Sequence, residues 1–157
     1  MAHVFISYTT KNWSIADRLR ATLERNGVRC WIASRDIPAG FAWPERIVTA
    51  MSETEAALFI VSKDAYGSGN MAHELELADG GNVPILPIRL DTSPLQGPFK
   101  YFLSNKQWLD LGDGSPERYE AVVSGIDRCR TTTRAAGLLC RGLRDDPRLR
   151  KRIFRAV

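Results

Sequence analysis

The sequence predicts an α/β fold: a flavodoxin-like, doubly wound, five-stranded parallel sheet followed by a basic helical extension. Two short apolar runs, residues 4–8 and 56–62, suit central strands covered on both faces. The segments between the candidate strands carry apolar residues at helical spacing. Strands that alternate with helices build a parallel sheet. For five strands the natural order is 2-1-3-4-5.

Each element has its own reason. After the strand at residues 4–8, Ile15, Ala16, Leu19 and Leu23 recur at helical spacing, with Asp17, Arg18, Arg20, Glu24 and Arg25 around the rest of the turn. Thr10 or Asn12 is placed to cap that helix, and Gly27 after Asn26 to take the left-handed conformation that ends it. Residues 28–32 form strand two and residues 33–42 a loop. Pro44 suits the first position of the next helix, which is expected to bury Ile47, Val48 and Met51. Residues 56–62 are strand three. A Gly/Ser loop from Tyr66 to Asn70 leads into a short helix from Met71 to Asp79, ended by Gly80-Gly81. Residues 83–90 are strand four, where pairing should weaken at Pro87 for want of an N–H. Residues 106–111 form a short fifth strand, and a last helix runs from Pro116 to Arg130.

The chain has 157 residues, 44% of them apolar, enough for one α/β domain with a real core. No apolar run approaches the ~18–20 residues of a membrane span, and no basic-then-apolar leader opens the chain. Cys30, Cys129 and Cys140 are odd in number and widely spaced, and read as reduced thiols in a cytoplasmic protein. His3 and His73 are too few and too scattered to suggest a metal. The net charge of +4 is unevenly spread: 14 Lys and Arg stand against 16 Asp and Glu through Arg130, and 8 against 2 after it. A composition break at Thr131-Thr132-Thr133 therefore divides a domain at residues 1–130 from a tail at 131–157. The tail sets Leu138, Leu139, Leu143, Leu149, Ile153 and Phe154 among arginines and a lysine. That pattern suits a packing helix or a connector to a fused or partner sensor domain on the C-terminal side. It also fits an anionic lipid surface, while nucleic acid is not the expected partner.

In the order 2-1-3-4-5 the topological switch lies between strands one and three, and ligands bind beyond their carboxyl ends. The loops there carry Ser7, Tyr8 and Thr9 on one side and residues 62–70 on the other. The helix from Met71 stands over the crevice and holds two acids. With its buried face centred near Met71 and Ala78, Glu74 lies roughly 60° from the centre and Glu76 roughly 140°. Glu74 can lean into the crevice, in or near the first turn where the helix dipole favours a carboxylate. Glu76 points to water. By geometry alone, a solvated helix carboxylate is the commoner description of Glu74.

The succession of these segments over residues 2–130 resembles a Toll/interleukin-1 receptor (TIR) domain of the bacterial type. Glu74-Leu75 with Ala78, then Pro84-Ile85-Leu86-Pro87-Ile88, is similar to the segment that holds the catalytic glutamate of NAD+-cleaving TIR domains. The loop from Ile32 to Trp43 resembles the family's BB-loop, with Arg35, Asp36, Ile37, Gly40 and Trp43 in matching order. The resemblance implies a catalytic Glu74, substrate contacts from Ser7, Tyr8, Trp31, Arg35, Asp36, Trp43 and Asn70, and a self-association surface at Asp36, Ile37, Pro38 and Gly40. Asn70 stands where many relatives have a tryptophan, so stacking on nicotinamide would fall to Trp43, Trp31 or Tyr8. Simpler roles also fit: Asp36 capping a turn, Gly40 allowing a bend, Trp43 packing on the following helix and Arg35 solvated.

The implied activity is NAD+ glycohydrolase or cyclase chemistry, with NAD+ as substrate, no separate cofactor and no metal. It is switched on by TIR–TIR self-association in bacterial defence or signalling. Two alternatives stay open, a non-catalytic TIR interaction module and a nucleoside-processing glycosidic-bond enzyme of related fold.

Overall fold

The computed structural model describes residues 2–40, 43–112 and 114–145, and of residues 133–145 only the backbone. Five parallel strands lie in the order β2-β1-β3-β4-β5, as the sequence predicts. They are β1 (His3–Ser7), β2 (Cys30–Trp31), β3 (Thr54–Val61), β4 (Ile85–Arg89) and β5 (Leu109–Asp110). The helices are α1 (Trp13–Arg25), α2 (Ala33–Asp36), α3 (Trp43–Ser52), α4 (Gly69–Gly80), α5 (Gly97–Leu103) and α6 (Pro116–Asp145).

Side-chain alternation along β1 and β3 divides the core in two. Val4 and Ile6 of β1, with Leu58 and Ile60 of β3, meet Leu19 and Leu23 of α1 and Tyr119, Val122 and Ile126 of α6. Phe5, Ala57, Phe59 and Val61 point the other way, to Ile47 and Met51 of α3, Met71 and Leu75 of α4, and Phe99 and Leu103 of α5. With a period of two, Ser7 shares the face of Phe5 and is aimed at the α3–α4 layer. That parity, set by the sequence, positions the site.

Several local expectations are corrected. Asn12 holds the N-cap position of α1 without capping it, because its side chain donates to Ser62 Oγ at 2.9 Å. A 3-10 turn at Thr10–Asn12 leads into the helix instead. Gly27 does end α1, at φ +75°, with Val28 N–H bonded back to Leu23 O. The loop after β2 opens with the helical turn α2. Val48 is 51% exposed because α3 turns only Ile47, Ala50 and Met51 inward. The β3–β4 register runs unbroken through Phe59↔Pro87, while β5 pairs only with Ile88 and Arg89, so the missing Pro87 N–H interrupts no pairing.

Two helices differ from expectation. α5 lies in a stretch rich in turn residues, yet Pro98 in its first turn suits a helix start, and Phe99 and Leu103 are buried four residues apart. α6 runs past Arg130, where the sequence predicts its end, and through Thr131–Thr133 to Asp145. The Thr131 and Thr132 hydroxyls bond back to the Asp127 and Arg128 carbonyls within the helix. The side chains of Cys140 and of the apolar tail residues lie outside what the structure describes.

Candidate active site

A cleft of about 460 Å³ opens beyond the carboxyl ends of β1 and β3, at the topological switch. Its walls come from four segments. Ser7 ends β1 and Tyr8 to Lys11 follow it, Asp64, Gly67 and Ser68 follow β3, Asn70, Met71 and Glu74 belong to α4, and Ala33 and Ser34 of α2 join Trp43 at the start of α3. The first two segments are tied together behind the cleft by Asn12 to Ser62 and at its edge by Lys11 Nζ to Asp64 Oδ1 at 2.8 Å. The Asp91 carboxylate accepts from Lys63 N–H at 2.8 Å and steadies the loop after β3 from the side of β4.

Glu74 lies at the bottom of this cleft and is only 7% exposed. The Ser7 hydroxyl donates to Glu74 Oε2 at 2.5 Å. Burial pushes the Glu74 carboxyl up to about 7, and the Ser7 hydrogen bond opposes that shift without overcoming it. The helix dipole does not hold this carboxylate ionised, contrary to the expectation from sequence. α4 starts at Gly69, with Ser68 Oγ accepting from Met71 N–H as its cap, so Glu74 falls in the second turn and desolvation dominates. Glu76 is exposed beside His73, as its angular position predicts.

The remaining predicted residues divide into two groups. Ser7, Tyr8, Trp43 and Asn70 line the cleft with Glu74. Trp31, Arg35 and Asp36 do not; they surround a separate cavity of about 350 Å³ beside β2, with His3, Glu24 and Cys30. Trp31 is stacked on Phe5 at 4.8 Å between centroids, which commits its ring to the core. Asp36 Oδ2 accepts the Ile32 N–H at 2.7 Å and so closes the α2 turn. Ile37 packs on the α3–α4 core, leaving Pro38, Ala39 and Gly40 exposed. Of the three candidate stacking rings, Trp43 (46% exposed) and Tyr8 therefore border the cleft.

Lys11, Ala33 and Ser34 also wall the cleft, where hydrophobic period and strand order alone do not place them. The sequence does hold a signal for the first, since Lys11 and Asp64 are opposite charges in the two loops that flank the switch point.

Glu74 also lines a smaller apolar chamber of about 200 Å³ between α3 and α4, with Trp43, Ile47, Val48, Asn70, His73 and Leu77. Trp43, Asn70 and Glu74 border both spaces. The site thus joins a polar cleft to an apolar recess at one buried carboxylate.

Residues 4–124 match the TIR domain family. The chain belongs to that family. Solved structures agree with the TIR fold. The TIR domain of a Toll-related receptor from Hydra magnipapillata superposes with a TM-score of 0.57 at 26% identity, over 68% of this chain and 82% of that one. A TIR-STING receptor from C. gigas gives a TM-score of 0.66 at 22% identity, over 79% of this TIR chain and 39% of the receptor. The RPS4–RRS1 TIR heterodimer gives 0.64 at 13% identity, over 83% and 99%. The last two likenesses bear on the fold alone. No curated relative matches the chain.

Proposed function

We propose that this TIR domain cleaves the nicotinamide–ribose bond of NAD+, with Glu74 as the essential carboxylate. The observation that carries the reading is a buried carboxylate oriented by Ser7 at the junction of a polar cleft and an apolar recess. Perturbed acids in clefts are characteristic of functional sites.

The chemistry asks little more of the protein. The nicotinamide of NAD+ is cationic and leaves as a neutral base, so no side chain must protonate it, unlike an ordinary glycosidic oxygen. The developing positive charge on the ribose needs an anion close by in a low-dielectric site, which ionised Glu74 supplies electrostatically or by transient bonding. A cationic substrate ring beside Glu74 favours its ionised form and offsets the burial that keeps the free enzyme half protonated near pH 7. Trp43 and Tyr8 provide aromatic surface for the leaving base, and Ser7 and Asn70 provide polar contacts. Nicotinamide release would leave an ADP-ribosyl group for capture by water or by an internal nucleophile.

Self-association belongs to this reading. The TIR domains of RPS4 and RRS1 pair as a heterodimer, and Pro38 and Gly40 here are exposed in the segment between the wall residues Ser34 and Trp43. The same exposed loop favours the second reading, a TIR module that acts only through such contacts. The setting in either case is bacterial defence or signalling.

Concentrated protein incubated with NAD+ and followed by chromatography separates the two readings. Nicotinamide release that grows with time supports the enzyme. Self-association in sedimentation with no nicotinamide released supports the interaction module.

A further inference from the structure

The helical turn α2 has its two faces in different cavities. Ala33 and Ser34 line the Glu74 cleft, whereas Arg35 and Asp36 line the space beside β2. On that outer side the Arg35 guanidinium makes four hydrogen bonds. Nη1 donates to Glu24 Oε1 at 2.7 Å, Nη2 to the Cys30 carbonyl at 2.6 Å and to Asp36 Oδ2 at 3.0 Å, and Nε to Asp36 Oδ1 at 2.9 Å. Asp36 in turn holds the Ile32 N–H, and Glu24 is itself gripped by Arg20 Nη1 at 2.5 Å, whose Nε and Nη2 bond Asp17. A chain of five alternating charges thus runs from α1 to the turn that walls the cleft. Isolated surface ion pairs contribute little to stability. A planar guanidinium held on three sides does something else: it fixes an orientation.

We propose that Glu24 and Arg35 are positioning residues, a strut that sets the Ala33–Ser34 wall of the cleft from outside. Affinity for substrate then depends on a carboxylate of α1 that does not line the cleft. The kinetic half of this inference rests on the NAD+-cleaving reading; the structural half does not.

The test uses Glu24→Ala, Arg35→Ala and their double variant, with Arg35→Lys as the conservative change and Arg25→Ala as a charge-removal control on the same helix. Each protein is measured for KM and kcat on NAD+ and for hydrogen exchange of the amides from Ile32 to Ile37. Both single alanine variants should raise KM roughly three- to tenfold with kcat within about twofold. The double variant should match Arg35→Ala rather than multiply the two effects, since removing Arg35 already removes its contact with Glu24. Arg35→Lys should recover part of the loss, Arg25→Ala should behave as wild type, and the α2 amides should exchange faster in both single alanine variants.

A normal KM in Glu24→Ala beside a raised KM in Arg35→Ala overturns the proposal and makes Arg35 a substrate ligand. Faster exchange with unchanged KM in both variants also overturns it, leaving a structural contact only. If wild-type protein releases no nicotinamide, the proposed function fails separately. Exchange then decides the strut: acceleration in both variants supports it, and unchanged exchange refutes it.

Discussion

Ser7 and Glu74 meet across 67 residues because of two periodicities. The twofold alternation of β1 sends Ser7 to the same side as Phe5, and the helical period of α4 places Glu74 at the edge of its Met71–Leu75–Ala78 face. The pair sets a pH dependence of stability whose direction follows from the shift. Below pH 4.5 Glu74 is protonated whether the chain is folded or not. Between 4.5 and about 7 the unfolded chain loses that proton while the folded one keeps it, so stability falls as pH rises through this window and then levels off. The full difference is roughly 3 kcal/mol. Glu74→Gln carries no such charge. It should therefore gain up to roughly that amount over wild type at pH 8 and nothing at pH 4, as read from denaturant midpoints at both pH values. The same proton governs rate. In wild type kcat/KM should rise with pH through about 7, the free-enzyme value. Ser7→Ala removes the one hydrogen bond that opposes the upward shift, so the rising limb of its pH profile should move to higher pH.

At the scale of elements, α4 and the loop before α3 deliver the chemistry. Ser68 caps α4 through Met71 N–H, and Ser68→Ala should cost about 1 kcal/mol of unfolding free energy in denaturant titration. Gly40 sits at φ +88°, with open space around the position of a Cβ. Gly40→Val therefore strains the backbone without a clash. If the loop completes a neighbouring site, specific activity of this variant should fall more steeply on dilution than that of wild type; parallel dilution curves would count against that role.

The strands, α1, α4 and the place of Glu74 were legible because hydrophobic period and cleft topology depend on few long-range details. Other features depended on partners distant in sequence. Asn12 bonds Ser62 instead of capping α1, Trp31 stacks on Phe5, and Arg35 is held by Glu24 across 11 residues. α5 was hidden among turn residues, and its helical character shows only in Phe99 and Leu103 facing one core.

Over the whole molecule, α6 covers one face of the sheet with Tyr119, Val122, Val123 and Ile126, and Arg130 Nε binds Glu55 Oε2 at 2.6 Å in a mostly buried pair. These anchors all precede Thr131, although the helix runs on to Asp145. A chain ending after Thr132 should thus remain folded and keep Glu74-dependent activity, whereas one ending before Pro116 should lose cooperative unfolding, as followed by circular dichroism. No helix among the described residues is long and apolar enough to cross a membrane.

The most direct test of the account is nicotinamide release from NAD+ by wild type, Glu74→Gln and Glu76→Gln at equal, high protein concentration. The two acids share one helix, one buried under Ser7 and one facing solvent. The account predicts steady release by wild type, near-wild-type release by Glu76→Gln, and a loss of at least about a hundredfold in Glu74→Gln. Equal activity in the two variants, whether both active or both silent, would contradict it.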